Sequence, residues 1–347
     1  MNMTPTKKQK PNSLGHEQSL SVSYMKAIGI IVVVIGHYTS GFFNVMLPYL
    51  YHMPLFFFIG GITLKKEPIS IEAVKKISIK IVPYMITTYL ITGLICVLLN
   101  IITGMYYGNP FTQNPLSMNF NNNPLFLVCW FLLAYYFSSL ITRVLITVTI
   151  HLEKQNLILI LVGLLIGFLA VNQCAEFYNK EKLQILNLIT QSVYGSSFML
   201  LGFSLKKLAL SIYNPLISVL LIVFIATLIS YGLIKQSAMA WSTYPSGFIM
   251  STIGSLLCIF VVLNISNILS SNNFNLLKQI GDNSKTIMSW HLSVFAIINV
   301  IFYYIGSGNI KGVKLDNTYT QYSFPLYTIC GVMIPFICLK IKNRLPL

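Results

Sequence analysis

The sequence predicts an all-α, polytopic integral membrane bundle of about ten transmembrane helices with both termini in the cytoplasm. Three observations predict it. Apolar residues fill 55% of the 347 positions, charged residues only 9%, and the mean hydropathy is +0.72. That leaves too little polar surface to cover a water-soluble domain. The apolar residues gather into ten runs, each near the roughly 20 residues needed to cross a bilayer. The basic residues, which set a net charge of +15, sit in short stretches between those runs, as orientation signals do. No nucleic-acid partner is expected from such placement.

Residues 1–20 are polar and basic, contain Pro5 and Pro11, and read as a disordered cytoplasmic tail instead of a cleavable signal peptide. The transmembrane domain is expected over residues 21–341, followed by a short cytoplasmic tail, 342–347, with no appended soluble domain. The expected spans are 21–40, 45–64, 81–103, 124–147, 157–171, 183–205, 212–234, 246–269, 286–305 and 323–341. With the N-terminus inside, only Lys180, Lys182, Lys235, Lys311 and Lys314 fall outside, and the other 18 of 23 Lys and Arg lie within. This asymmetry requires an even number of spans. Residues 69–80 mix apolar and basic positions at helical spacing. They form either a helix lying on the inner face or a charged extension of the third span. Residues 104–123 are uncharged and rich in Asn, Gly and Pro, an outer loop able to shape a vestibule. Of the six cysteines, five fall in apolar runs as small hydrophobes. Only Cys174 is placed in an outer loop, and no disulfide or metal site is expected.

The chemistry concentrates in the first hairpin. Titratable groups are costly inside a bilayer, so Lys26 and His37 on one arm and His52 on the other need a reason. His37 follows Lys26 by eleven positions, about 16 Å of helical rise and close to three turns, so the two side chains point within about 20° of each other. His37 and His52 are about equally far from the turn near residues 44 and 45, which gives them similar depth. Pro54 beside His52 removes a backbone donor. Structural roles compete with functional ones. Lys26 can be a snorkelling anchor, His37 and His52 can be polar packing groups, and Phe56-Phe57-Phe58 can be lipid-facing or packing bulk. The chain has eight acidic residues, mainly away from span centres, which gives buried carboxylate pairs little material. It has no Gly-x-Ser-x-Gly elbow, P-loop or dinucleotide fingerprint.

Lys26-x10-His37, together with Tyr51-His52-Met53-Pro54-Leu55-Phe56-Phe57-Phe58-Ile59-Gly60-Gly61, resembles the acyltransferase 3 family of multispanning bacterial enzymes. Lys26 stands where that family usually has Arg, and Gly60 where it often has Ser. Trp130-Phe131-Leu132 is similar to a recurrent family phrase. So is Gly281-Asp282-Asn283-Ser284, followed by His291. The resemblance implies a bacterial inner-membrane O-acetyltransferase that moves acetyl from acetyl-CoA, its co-substrate, to a hydroxyl of a cell-surface polysaccharide or lipid-linked sugar. It further implies His37 as general base, Lys26 on the CoA phosphates and His52 assisting the base or acceptor. The partners so implied are the lipid bilayer, acyl-CoA and the glycan or lipid-linked acceptor, with glycan-assembly proteins as possible associates and no metal. His291, entering its span from the cytoplasmic side, is expected to be shallower than His37, within reach of the donor but poorly placed as the same base. Trp130 and Trp290 are expected as interface anchors, and Lys206 and Lys207 as orientation signals with a lesser claim on CoA phosphates. The alternative is a polysaccharide or lipid-linked sugar exporter without catalysis.

Overall fold

Hydrocarbon offers no partner to a backbone N–H or C=O, so a chain this apolar resolves into helices that pair those groups internally. The computed structural model describes residues 14–37, 47–113, 123–306, 310, 312 and 323–342. It contains α1 (His16–Gly36), α2 (Pro48–Thr63), α3 (Ile71–Thr103), α4 (Pro124–Val148) and α5 (Gln155–Glu181). These are followed by α6 (Gln184–Ser204), α7 (Pro215–Ser230), α8 (Gly247–Leu269), α9 (Asn275–Asp282), α10 (Ser284–Tyr304) and α11 (Phe324–Lys342). Among the described residues the one β-type pairing is the antiparallel bridge Ala238–Thr243.

Each predicted span overlaps a helix among the described residues, and seven of these, α1, α3, α4, α5, α8, α10 and α11, are long and apolar enough to cross a membrane. The fold is an all-α, multi-pass membrane bundle. α2 and α7 fall short at 16 residues each. α6 is long enough but carries a buried polar stripe that includes Asn187, Thr190, Gln191 and Ser192. Helix starts follow local rules. Asn123 and Asn214 cap their helices through bonds to Leu125 N and Leu216 N, each with Pro at the first helical position, where a missing N–H costs nothing.

Two expectations need correcting, and one open alternative is decided. α1 begins at His16, so the predicted tail loses its last residues to the helix; residues 1–13 lie outside the described residues, as do the turn near 44 and 45 and much of the 104–123 loop. Of the two readings of residues 69–80, the extension of the third span holds: residues 71–80 continue α3, which runs 33 residues from a Ser70 cap that accepts from Ala73 N at 3.1 Å. That is about 50 Å of helix against a hydrocarbon core of about 30 Å, so α3 projects beyond it. Cys174 is not in a loop: α5 continues through a π turn, Ala170–Cys174, to Glu181.

Burial sorts the helices. In α1, α4 and α10, 67% of the best apolar window is inside the protein, against 28% in α3, α5 and α11. α2 and α6 sit among the inner set and meet backbone to backbone. A Cβ on Gly61 would lie 2.0 Å from Met199 O, and one on Gly202 would lie 2.0 Å from Phe58 O. Small residues are what permit this approach, and with it the van der Waals packing that drives helix association in lipid. The same device seats α9 on α1, because a Cβ on Gly281 would lie 1.8 Å from Ser23 O. Tyr24 secures that junction by donating to Asn272 O and accepting from Phe274 N, both at 2.8 Å. Asn267 adds a second tie: it accepts from Ser21 Oγ and donates to Ala209 O and Ile212 O.

Candidate active site

α2 begins at Leu47, in the left-handed region at φ +43°, with Pro48 next. The Pro48 carbonyl accepts from His52 Nδ1 at 2.5 Å. A carbonyl cannot donate, so Nδ1 carries the proton and Nε2 keeps its lone pair. Pro54 leaves the Leu50 carbonyl without its helical donor, and Ser255 Oγ on α8 supplies one at 2.7 Å. α2 therefore runs unbroken through the proline.

His291 on α10 is held in the same way. Its Nδ1 lies 2.8 Å from Met288 O and 3.1 Å from Ile287 O, which leaves Nε2 as the acceptor. That Nε2 is buried and has no hydrogen-bond partner among the described residues. Leaving an acceptor unsatisfied costs about 1–3 kcal/mol. His37, at the end of α1, has Nδ1 3.3 Å from Tyr49 Oη. The His37 and His291 ring centres are 5.0 Å apart, and those of Tyr49 and His52 are 5.1 Å apart. The three histidines and Tyr49 line one cavity of about 60 Å³, together with apolar side chains that include Val33, Leu127, Trp130 and Phe131.

One wall of this chamber is the Met239–Trp241 turn between α7 and α8. Buried amides hold it in place. Asn187 Nδ2 and Gln191 Nε2 both donate to Ala240 O, at 3.0 and 2.8 Å, and Ser242 Oγ donates to Asn187 Oδ1 at 2.6 Å. The polar stripe that lowers the hydropathy of α6 thus fixes a wall of the site.

A second cavity of about 490 Å³ adjoins the first, and Phe131 and Met288 line both. Around it stand Lys26, Lys80, Arg143 and Lys285, with Asp282 as its one acidic group. Asp282 accepts from Ser23 Oγ at 2.6 Å. Among the described residues the one ion pair within 4 Å is Lys65–Glu67, elsewhere. Lys285 Nζ lies 3.6 Å from the Tyr84 ring centre, a cation–π contact that leaves its charge uncompensated. Arg143 Nε is buried with no hydrogen-bond partner among the described residues. Four cations facing one cavity repel one another and create a strongly positive potential that favours a polyanion. Gly60 belongs to this wall: a Cβ there would lie 2.7 Å from Tyr135 Oη. The glycine that departs from the family's serine lets the tyrosine close against α2.

Lys26 and His37 therefore serve adjoining cavities, and His52 joins His37 in the smaller one. Lys26 lies half-buried within the bundle, ten residues into α1. Phe57 and Phe58 are fully buried, so they are packing bulk and not lipid-facing. His291 is not shallow; its ring stands beside His37. The expectation failed because α9 penetrates to the level of Ser23, so α10 starts well inside the bundle. Trp130 is not an interface anchor either: it is 7% exposed and lines the chamber. Lys206 and Lys207 do not line the cationic cavity, whereas Lys80, Arg143 and Lys285 do. Sequence reasoning counted those three only as orientation signals, since a basic residue at an inner helix end looks the same in either role.

The fold is thus a multi-pass membrane bundle that sets a histidine-lined cavity beside one lined by four cations. The family model described as an acyltransferase domain matches residues 19–341, and the chain belongs to that family. The protein is a membrane acyltransferase. No curated protein and no solved structure matches the chain.

Proposed function

We propose that the protein is an O-acetyltransferase of the bacterial cytoplasmic membrane. It moves acetyl from acetyl-CoA to a hydroxyl of a cell-surface polysaccharide or lipid-linked sugar, with ten spans and both termini inside. The observation that carries this reading is the pair of adjoining cavities, one cationic and one lined by imidazoles. Lys26, with Lys80, Arg143 and Lys285, engages the donor phosphates, and the pantetheine arm passes between Phe131 and Met288 into the histidine chamber. An apolar space of about 60 Å³ suits a methyl group better than a long acyl chain. His37, its Nδ1 3.3 Å from the Tyr49 hydroxyl, offers its imidazole as the base that takes the hydroxyl proton, with Nε2 as the accepting atom when Nδ1 carries the hydrogen. His52, its tautomer set by Pro48 O, orients the acceptor or the base.

Proton NMR of purified surface glycan from cells with and without the protein tests the reading. Acetyl methyl signals are expected to vanish without it while the polymer remains at normal quantity. Retained signals with lost export would support the exporter instead. The cation cluster gives a second expected result. Replacing Lys80 and Arg143 together by Ala should raise the acetyl-CoA Kd more than about tenfold, since hydrogen bonds to charged groups contribute about 1.5–3 kcal/mol each. Calorimetry on detergent-solubilised protein measures this, and an unchanged Kd would remove the phosphates from this cavity.

A further inference from the structure

Acyl transfer takes a proton from the acceptor oxygen and leaves negative charge on the donor sulfur, so a route between the two is needed. The geometry around His291 supplies one. Its Nδ1–H is committed to the Ile287 and Met288 carbonyls. Its Nε2 is buried and has no partner among the described residues, and the residue lines the histidine chamber. The residue is 1% exposed, and its ring centre lies 5.0 Å from that of His37. Met288, one turn earlier on α10, lines both cavities. His291 therefore stands on the side where a thioester arriving from the cationic cavity must present its sulfur.

We infer that His291 is a catalytic residue that returns the acceptor's proton to the departing thiolate. The inference rests on the acyl-transfer reading above. As the hydroxyl oxygen bonds to the thioester carbonyl carbon, its proton passes to His37 Nε2. The carbon–sulfur bond breaks with its electron pair on sulfur. The His37 imidazolium hands its proton to His291 Nε2, which delivers it to the sulfur. The products are an ester and a free thiol, both rings end neutral, and no outside acid or base is consumed. With Nδ1 committed as donor to the α10 backbone, His291 keeps Nε2 free to accept; His52 shares that state, but the ring beside His37 at 5.0 Å is that of His291.

The test compares two donors on the full-length protein in nanodiscs, with membrane extract from producing cells as the source of acceptor. With acetyl-CoA, His291→Gln should lower kcat by about 100-fold or more, the range of a lost general acid. With the acetyl thioester of 4-nitrothiophenol, whose thiolate leaves without protonation, the same variant should lose less than about fivefold. His37→Gln should suffer comparably with both donors. Equal loss in His291→Gln with both donors, or no loss with either, overturns the inference. Activity retained by His37→Gln with both donors would instead remove His37 as the base, and no transfer by the native protein from either donor would sink the acyl-transfer reading beneath it. An unchanged acetyl-CoA Kd shows that the variant folds. If it does not fold, the native protein still decides: the solvent deuterium isotope effect on kcat should be larger with acetyl-CoA than with the activated thioester, and equal effects count against the relay.

Discussion

Gly61→Ala and Gly202→Ala are each expected to cost about 3 kcal/mol or more, enough to remove most folded protein from the membrane. Each new methyl would sit 2.0 Å from a carbonyl oxygen of the facing helix. The obstacle is backbone, so no rotamer change relieves it, and α2 and α6 would have to part. Their separation would carry His52 on α2 away from His37, and Asn187 and Gln191 on α6 away from the Met239–Trp241 turn. Thermal melting and size-exclusion profiles in detergent measure the effect. A melting temperature equal to that of the native protein would show that the interface has slack absent from the structure.

His37→Ala is expected to lower kcat/KM by about 10²–10⁴, the usual contribution of a positioned base. Acetyl-CoA affinity should stay near native, since His37 lines the smaller cavity and not the cationic one. In cells, surface polymer should be exported in normal amount without acetyl groups. Lys26→Ala should raise the KM for acetyl-CoA with a smaller effect on kcat. Equal losses in KM and kcat for both variants would contradict the division of labour between the two cavities.

The hairpin was legible in the sequence because its signals are local. Eleven residues of helix set the relation of Lys26 to His37, and the apolar runs marked each helix. What stayed hidden depends on tertiary placement. The depth of His291 turns on how far α9 enters the bundle, which Gly281 decides through a contact with Ser23 O, some 258 positions away in sequence. Trp130 looks like an anchor until α4 is seen to face the site. Lys80, Arg143 and Lys285 come from α3, α4 and α10 and converge only on packing. Residues 71–80 carry an amphipathic pattern that serves equally for a helix lying on the inner face and for one that continues into a span, and only packing chose between them.

The Phe131–Met288 partition has a consequence for the cell as a whole. In the proposed function the donor comes from one face and the acceptor from the other, which would demand a path across the bilayer, and an open path would let protons leak down their gradient. An apolar constriction sheds water and blocks ions without a moving door. Under the proposed reading, a slender thioester arm would pass beside Phe131 and Met288, the two apolar side chains that line both cavities, and would fill that gap during transfer.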